Sequence, residues 1–77
     1  MVVIKAFGQV KEEVGMGEFR VEEEMRNVKS LRTYLSEKYP TISWSSVAIA
    51  VNKQYAQDQE PLHKGDEIAL IPPVSGG

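Results

Sequence analysis

The sequence predicts an α+β fold: a mixed sheet of about five strands with one main helix packed on one face. Three observations carry this. Short runs rich in β-branched residues stand near both ends and in the middle, as "VVIKAFG", "VAIAVN" and "EIALI". Only residues 28–38 repeat their apolar positions at helical spacing. That helix falls between two strand-rich halves, so it crosses from one hairpin-like region to the other. Seventy-seven residues make one small domain. A chain of this size buries roughly 60% of the surface its unfolded form exposes, which supports one modest core and no deep, water-excluding site.

Val2 to Gly8 reads as the first strand. "QVKEEVGMG" carries two glycines and reads as a turn, and Glu18 to Glu22 alternates polar and apolar as a hairpin partner. The G-x-G of Gly15 and Gly17 lacks the rest of a phosphate-binding fingerprint and reads as backbone turning. Asn27 is a good N-cap for the helix, whose stripe is Val28, Leu31 and Leu35, flanked by Tyr34 and Tyr39. Arg32, Glu37 and Lys38 lie off that stripe, and Pro40 ends the segment. So short a helix is unstable alone and must lie on a sheet. Val47 to Asn52 is the next strand. Asn52-Lys53 makes a tight turn into a short partner at Gln54 to Ala56. After a polar loop with a turn at Lys64-Gly65-Asp66, Glu67 to Ile71 is the last strand. Pro72 cannot donate to a ladder and stops it. The domain therefore spans residues 1–71, and 72–77 form a flexible tail.

Alternation assigns the faces. Ile4, Ile49, Ile68 and Leu70 face the helix stripe. Lys5, Asn52 and Glu67 mark the opposite set, which also holds Val3, Phe7, Ala48, Ala50, Ala69 and Ile71. One helix covers one face only. The other is apolar enough to imply a partner surface.

Composition excludes several classes. Nine basic against eleven acidic residues, with no basic block, leave no nucleic-acid footprint. No apolar run reaches the ~18 residues of a membrane span, and the start has no signal-peptide pattern, so the expected location is the cytoplasm. The absence of cysteine removes disulfides, thiolate metal sites and cysteine nucleophiles. His63 reads as a surface residue, and the acidic residues Asp58, Glu60, Asp66 and Glu67 read as a solvated loop with no metal. Trp44 suits either an interface anchor or partial burial beside the helix end.

What remains is the tail, "PPVSGG". Its terminal carboxylate has an ordinary pKa of about 3.3–3.7 and is ionised at neutral pH. Such a group can attack the α-phosphate of ATP on another enzyme. The resulting acyl-adenylate then accepts a sulfur or nitrogen nucleophile. Gly76 and Gly77 carry no side chains, so a narrow channel can admit them. Pro72 and Pro73 stiffen the exit. Six residues reach at most about 20 Å.

With "IKAFG", "VAIAVN" and above all "PLHKGDEIALIPPVSGG" in view, the chain resembles the MoaD family, the small sulfur-carrier subunits of molybdopterin synthase. The resemblance spans the chain and is most specific in its last seventeen residues. It implies the β-grasp, ubiquitin-like fold. It also implies adenylation of Gly77 by a MoeB-like, ATP-using partner and conversion to a thiocarboxylate by a sulfurtransferase system. Sulfur then passes to precursor Z inside a MoaE-like large subunit, in a heterotetramer. The chain itself would bind no cofactor. Phe7, Tyr55 and Ile71 match partner-facing positions, and Pro72, Pro73, Val74 and Ser75 match the segment leading to the reacting Gly76 and Gly77. Ile71 stands where an aromatic is frequent, and Tyr55 where an aliphatic is. The alternatives are the thiamine sulfur carrier, a ubiquitin-like protein modifier joined through Gly77, and a plain interaction domain.

Overall fold

The last strand of the chain occupies the centre of the sheet. A computed structural model describes residues 1–73; Val74, Ser75, Gly76 and Gly77 lie outside the described residues. The strands are β1 (Val2–Ala6), β2 (Glu18–Val21), β3 (Ala48–Val51), β4 (Gln54–Tyr55) and β5 (Glu67–Ile71). They lie side by side in the order β2-β1-β5-β3-β4. β1 runs parallel to β5, pairing Ile4 with Ile68 and Ala6 with Leu70; every other pairing is antiparallel. The sheet is mixed, as the element order predicted.

Helix α2 (Val28–Lys38) occupies the residues that the periodicity indicated. Asn27 caps it: the side-chain Oδ1 accepts from the Ser30 backbone N–H and from the Ser30 hydroxyl, both at 2.9 Å. Val28, Leu31 and Leu35 are fully buried against Ile4, Ile49, Ile68 and Leu70, which are equally inaccessible. The strand alternation therefore assigned the inner face correctly. At the far end the Trp44 indole N–H donates to the Tyr39 carbonyl at 2.9 Å, satisfying one of the acceptors a helix end leaves open.

Two readings of the sequence need correction. "QVKEEVG" is not a turn but a second helix, α1 (Gly8–Val14). Val10 and Val14 stand four residues apart and pack on the core, Val10 fully buried. Gly15, with φ +86°, ends the helix in the left-handed conformation and donates its N–H to the Lys11 carbonyl at 2.9 Å. The first glycine of the supposed turn is thus a helix stop. The first strand is correspondingly shorter and ends at Ala6. The second correction concerns residues 44–46, where a single 3-10 turn precedes β3 and trims that strand's start to Ala48.

Asn52 and Lys53 do form the tight β3–β4 turn, both with positive φ, at 50° and 73°. Among the described residues, no helix is long and apolar enough to cross a membrane.

Candidate docking face and tail exit

With α1 and α2 on one side, the other side of the sheet has no helix over it among the described residues. Register sets its rows. One row crosses all five strands as Glu18, Lys5, Ala69, Ala50 and Tyr55. The row towards the start of β5 holds Arg20, Val3 and Glu67. The row towards its end holds Ala48 and Ile71. Phe7 continues β1 in extended conformation (φ −130°, ψ 156°) one residue past Ala6, on the same side as Lys5 and next to the end of β5.

The large side chains rim this face and the small ones floor it. Tyr55 is 75% exposed and Phe7 49%, while Ile71 is half-buried. Between them lie Ala48, Ala50 and Ala69, with Ala50 buried at 5% exposure. The Lys5 ammonium lies 3.1 Å from the Glu67 carboxylate, and both side chains are about 40% exposed. Phe7, Tyr55 and Ile71, singled out from the sequence, thus share one face.

The tail leaves from the margin of that face. Pro72, half-buried, follows Ile71, and Pro73 is exposed. Gly8 sits directly beneath Pro72. Its φ is +54°, and a Cβ built there would lie 3.1 Å from Pro72 Cγ. The β1–α1 junction therefore packs closely under the exit. On the helix side of the exit, Pro72 and Pro73 line a shallow cleft of about 280 Å³ together with Val10, Ile42 and Val47. The tail residues Val74, Ser75, Gly76 and Gly77, to which the sequence assigned insertion and reaction, lie outside the described residues.

The remaining candidates fall away from this site. Trp44 is buried in the core at 4% exposure and is not an interface anchor. His63 is exposed in the turn before β5. Its backbone N–H, not its imidazole, bonds Asp66 Oδ2 at 2.8 Å. Asp66 also accepts from Asn52 Nδ2 at 3.0 Å. Burial raises the Asp66 carboxyl, but the His63 N–H, the Asn52 amide and the nearby His63 charge together outweigh it. The group is held below its ordinary value of 3.8. No cluster of three or more metal-ligating side chains occurs among the described residues.

Two residues escaped the sequence reading. Gly8 escaped because its role depends on Pro72, far along the chain. Arg32 lies off the helix stripe, so the periodicity assigns it no task. It reaches from α2 to donate to the backbone carbonyls of Trp44 and Val47, the latter at 2.8 Å, and its Nε meets Asp58 at 3.3 Å. It thereby ties down the connector that lines the cleft beside the exit.

Comparison with known proteins gives three kinds of match. The ThiS family model matches residues 4–77. A molybdopterin synthase sulfur carrier subunit from Caenorhabditis briggsae is 38% identical over 84 residues, covering all of both chains. Among solved structures, SAMP1 from Haloferax volcanii aligns with a TM-score of 0.81 at 26% identity, covering 99% of this chain and 98% of that one. A complex of subunits 1 and 2 of the molybdopterin-converting factor from Helicobacter pylori contains a chain 35% identical. It aligns with a TM-score of 0.71, covering 99% of this chain and 97% of that one. The ubiquitin-like β-grasp arrangement expected from the resemblance is the fold of these neighbours.

Proposed function

This chain belongs to the ThiS family, and from that premise we propose that it is the sulfur-carrier subunit of a molybdopterin synthase. The observation that carries this reading is full-length similarity to carrier subunits of that enzyme, in a chain whose last strand hands its C-terminal residues off beside an uncovered apolar face.

The chemistry resides at Gly77. A carboxylate oxygen attacks the α-phosphorus of ATP held by an adenylating enzyme of the MoeB type, and pyrophosphate leaves. A persulfide supplied by a sulfurtransferase system then attacks the carbonyl carbon, AMP departs, and a thiol cleaves the resulting S–S bond, becoming part of a disulfide and leaving the thiocarboxylate. Inside a MoaE-like large subunit that sulfur attacks a side-chain carbon of precursor Z, and an oxygen substituent of that carbon departs, so a C–S bond replaces a C–O bond. Water releases the product from the acyl group and restores the Gly77 carboxylate. A dithiolene needs two sulfurs, so two loaded carriers are consumed for each product, consistent with a heterotetramer. ATP serves the activating partner, and this chain supplies neither a cofactor nor a catalytic side chain.

Each part of the domain has a task in this scheme. Pro72 and Pro73 end the ladder and direct the chain away from the sheet. Val74 and Ser75 lie in the partner's channel, where Gly76 leaves room for the reacting end. Phe7, Ile71 and Tyr55 hold the partner on the open face, so that the tail is delivered at a fixed distance from its root.

The test is direct. The protein is incubated with its adenylating enzyme, ATP and a sulfur donor, and its intact mass is measured. Exchange of one terminal oxygen for sulfur is expected, followed by loss of that sulfur on addition of the large subunit and precursor Z. An unchanged mass overturns the reading. The likeness to SAMP1, a small archaeal modifier protein, supports a second use of the same activated end, attachment to lysines. Isopeptide-linked conjugates in the same incubation are its signature.

A further inference from the structure

We infer that free copies of this chain pair with each other through the outer edge of β2, in one antiparallel register centred on Phe19. Glu18 of each copy then lies opposite Arg20 of the other. The occupant of the edge is a second copy of this chain, and the pairing does not depend on the sulfur-carrier reading.

β2 is an open edge. It lies at the end of the strand order and pairs with β1 alone among the described residues. The ladder to β1 fixes which of its backbone groups are free. The Ala6 N–H donates to the carbonyl of Gly17, the residue opposite, at 2.9 Å. In an antiparallel ladder, opposed residues that bond in this way alternate with residues that do not. Gly17, Phe19 and Val21 therefore direct their N–H and C=O groups at β1. The other side of β1 agrees, because the Val3 N–H donates to the Asp66 carbonyl at the start of β5. Glu18 and Arg20 consequently aim their backbone groups away from the sheet, a row that templates another strand. The edge at the far end of the sheet, β4, is only two residues long and offers no comparable row.

The side chains select the partner and the register. Glu18 and Arg20 are both exposed, and both stand on the uncovered face beside Lys5 and Val3. Neither makes a salt bridge among the described residues. Lys5, the cation across from Glu18, pairs with Glu67 at 3.1 Å instead, and Arg20 stands across from Val3. Two copies joined about a two-fold axis set these outward-aimed residues against each other. Glu18 opposite Glu18, or Arg20 opposite Arg20, juxtaposes like charges, which is unfavourable. Glu18 opposite Arg20 joins opposite charges, and a two-fold contact repeats the gain on the other side of the axis. In that register each Glu18–Arg20 pair also exchanges both of its N–H···O=C bonds. The edge is thus complementary to its own copy in backbone and in charge.

On the helix side the same register sets Phe19 opposite Phe19. Opposed residues that do not bond each other hold the closer side chains of a ladder. Phe19 is half-buried, and its ring meets Tyr39 edge-on with centroids 6.4 Å apart. Two such rings at the axis cover aromatic surface that the single chain leaves to water. β1 separates this edge from β5, so the pairing does not involve the strand that leads to the tail exit. A contact made by one short strand from each copy is small and belongs to the weak, transient class.

The experiment follows the full chain by sedimentation equilibrium and NMR-detected amide exchange, from about 20 µM to about 1 mM, the range in which so small an interface assembles. The chains compared are the wild type, E18R, R20E and the exchanged double variant E18R/R20E, with thermal melts to verify folding. The wild type is expected to dimerise. Exchange at Glu18 and Arg20 slows as concentration rises, while Phe19, whose N–H is already bonded to β1, is unchanged. E18R and R20E each dimerise about tenfold more weakly or worse, because only like charges then face each other. The double variant regains the wild-type constant, and an equimolar mixture of E18R and R20E forms a mixed dimer. A wild-type chain that stays monomeric throughout the range overturns the inference. So does dimerisation without slowing at Glu18 and Arg20, single variants that dimerise like the wild type, a double variant no better than the single ones, or a mixture that stays monomeric. Slowing at Glu18 and Arg20 only on addition of the large synthase subunit assigns the edge to that protein and refutes the pairing of copies.

Discussion

Replacing Arg32 by alanine tests the least visible support of the tail exit. One guanidinium nitrogen donates to two carbonyls, of Trp44 and Val47, and the side chain is only 22% exposed. A hydrogen bond to a charged group contributes about 1.5–3 kcal/mol. Here two acceptors share one nitrogen, and the position is open enough for water to reach the freed carbonyls in part. The expected loss is therefore nearer the value of one such bond than two, about 2–3 kcal/mol. For a domain of this size that lowers the melting midpoint by about 10–20 °C. The ion pair to Asp58 adds little, because Asp58 is half-exposed. D58A should cost less than about 1 kcal/mol. Denaturant unfolding of R32A, D58A and wild type, read by Trp44 fluorescence, separates the two contributions. Equal losses in R32A and D58A would refute the claim that carbonyl anchoring, not ion pairing, is what Arg32 contributes.

Other outcomes follow from the same structure. L70A removes a fully buried side chain from the central strand and should cost about 2–5 kcal/mol in denaturant unfolding. N27A deletes the α2 cap and should cost about 1 kcal/mol, with N27D close to wild type. Because Asp66 titrates lower in the folded chain than in the unfolded one, its contribution is complete above its ordinary value of 3.8. That contribution is lost as pH falls through the folded value. Melting midpoints between neutral pH and strongly acidic pH should thus drop less steeply in D66N than in wild type. Extending the chain one residue past Gly77 should abolish ATP-dependent sulfur loading in the mass assay and leave the melting midpoint unchanged.

Much of this was legible in the residues, for reasons that are local. The stripe of Val28, Leu31 and Leu35 with its Asn27 cap is decided within eleven residues. Alternation in β5 separates Ile68 and Leu70 from Ala69 and Ile71 whatever lies beside them. The uncovered face around Phe7 and Ile71 followed from counting helices against faces, and it survived the discovery of α1 because both helices lie on the same side. What stayed hidden is non-local or short. In α1 the apolar signal is two valines, and flanking glycines mimic a loop. Arg32 acts on residues 12, 15 and 26 positions away, at distances no periodicity reports. Trp44 suited two environments equally, and only the Tyr39 carbonyl decided between them.

The central place of β5 has a mechanical consequence. A partner that draws the C-terminal residues into a channel pulls along the axis of the strand that precedes them. That strand is bonded on both edges, to β1 on one side and β3 on the other. Tension along it loads both ladders in shear, across many bonds at once, instead of peeling one edge bond at a time. Forced unfolding is governed by the barrier to rupture, and this arrangement raises that barrier where the load enters. Under the proposed carrier role, in which the end is drawn into one active site after another, this arrangement lets the domain be held by its end without the load entering at a sheet edge.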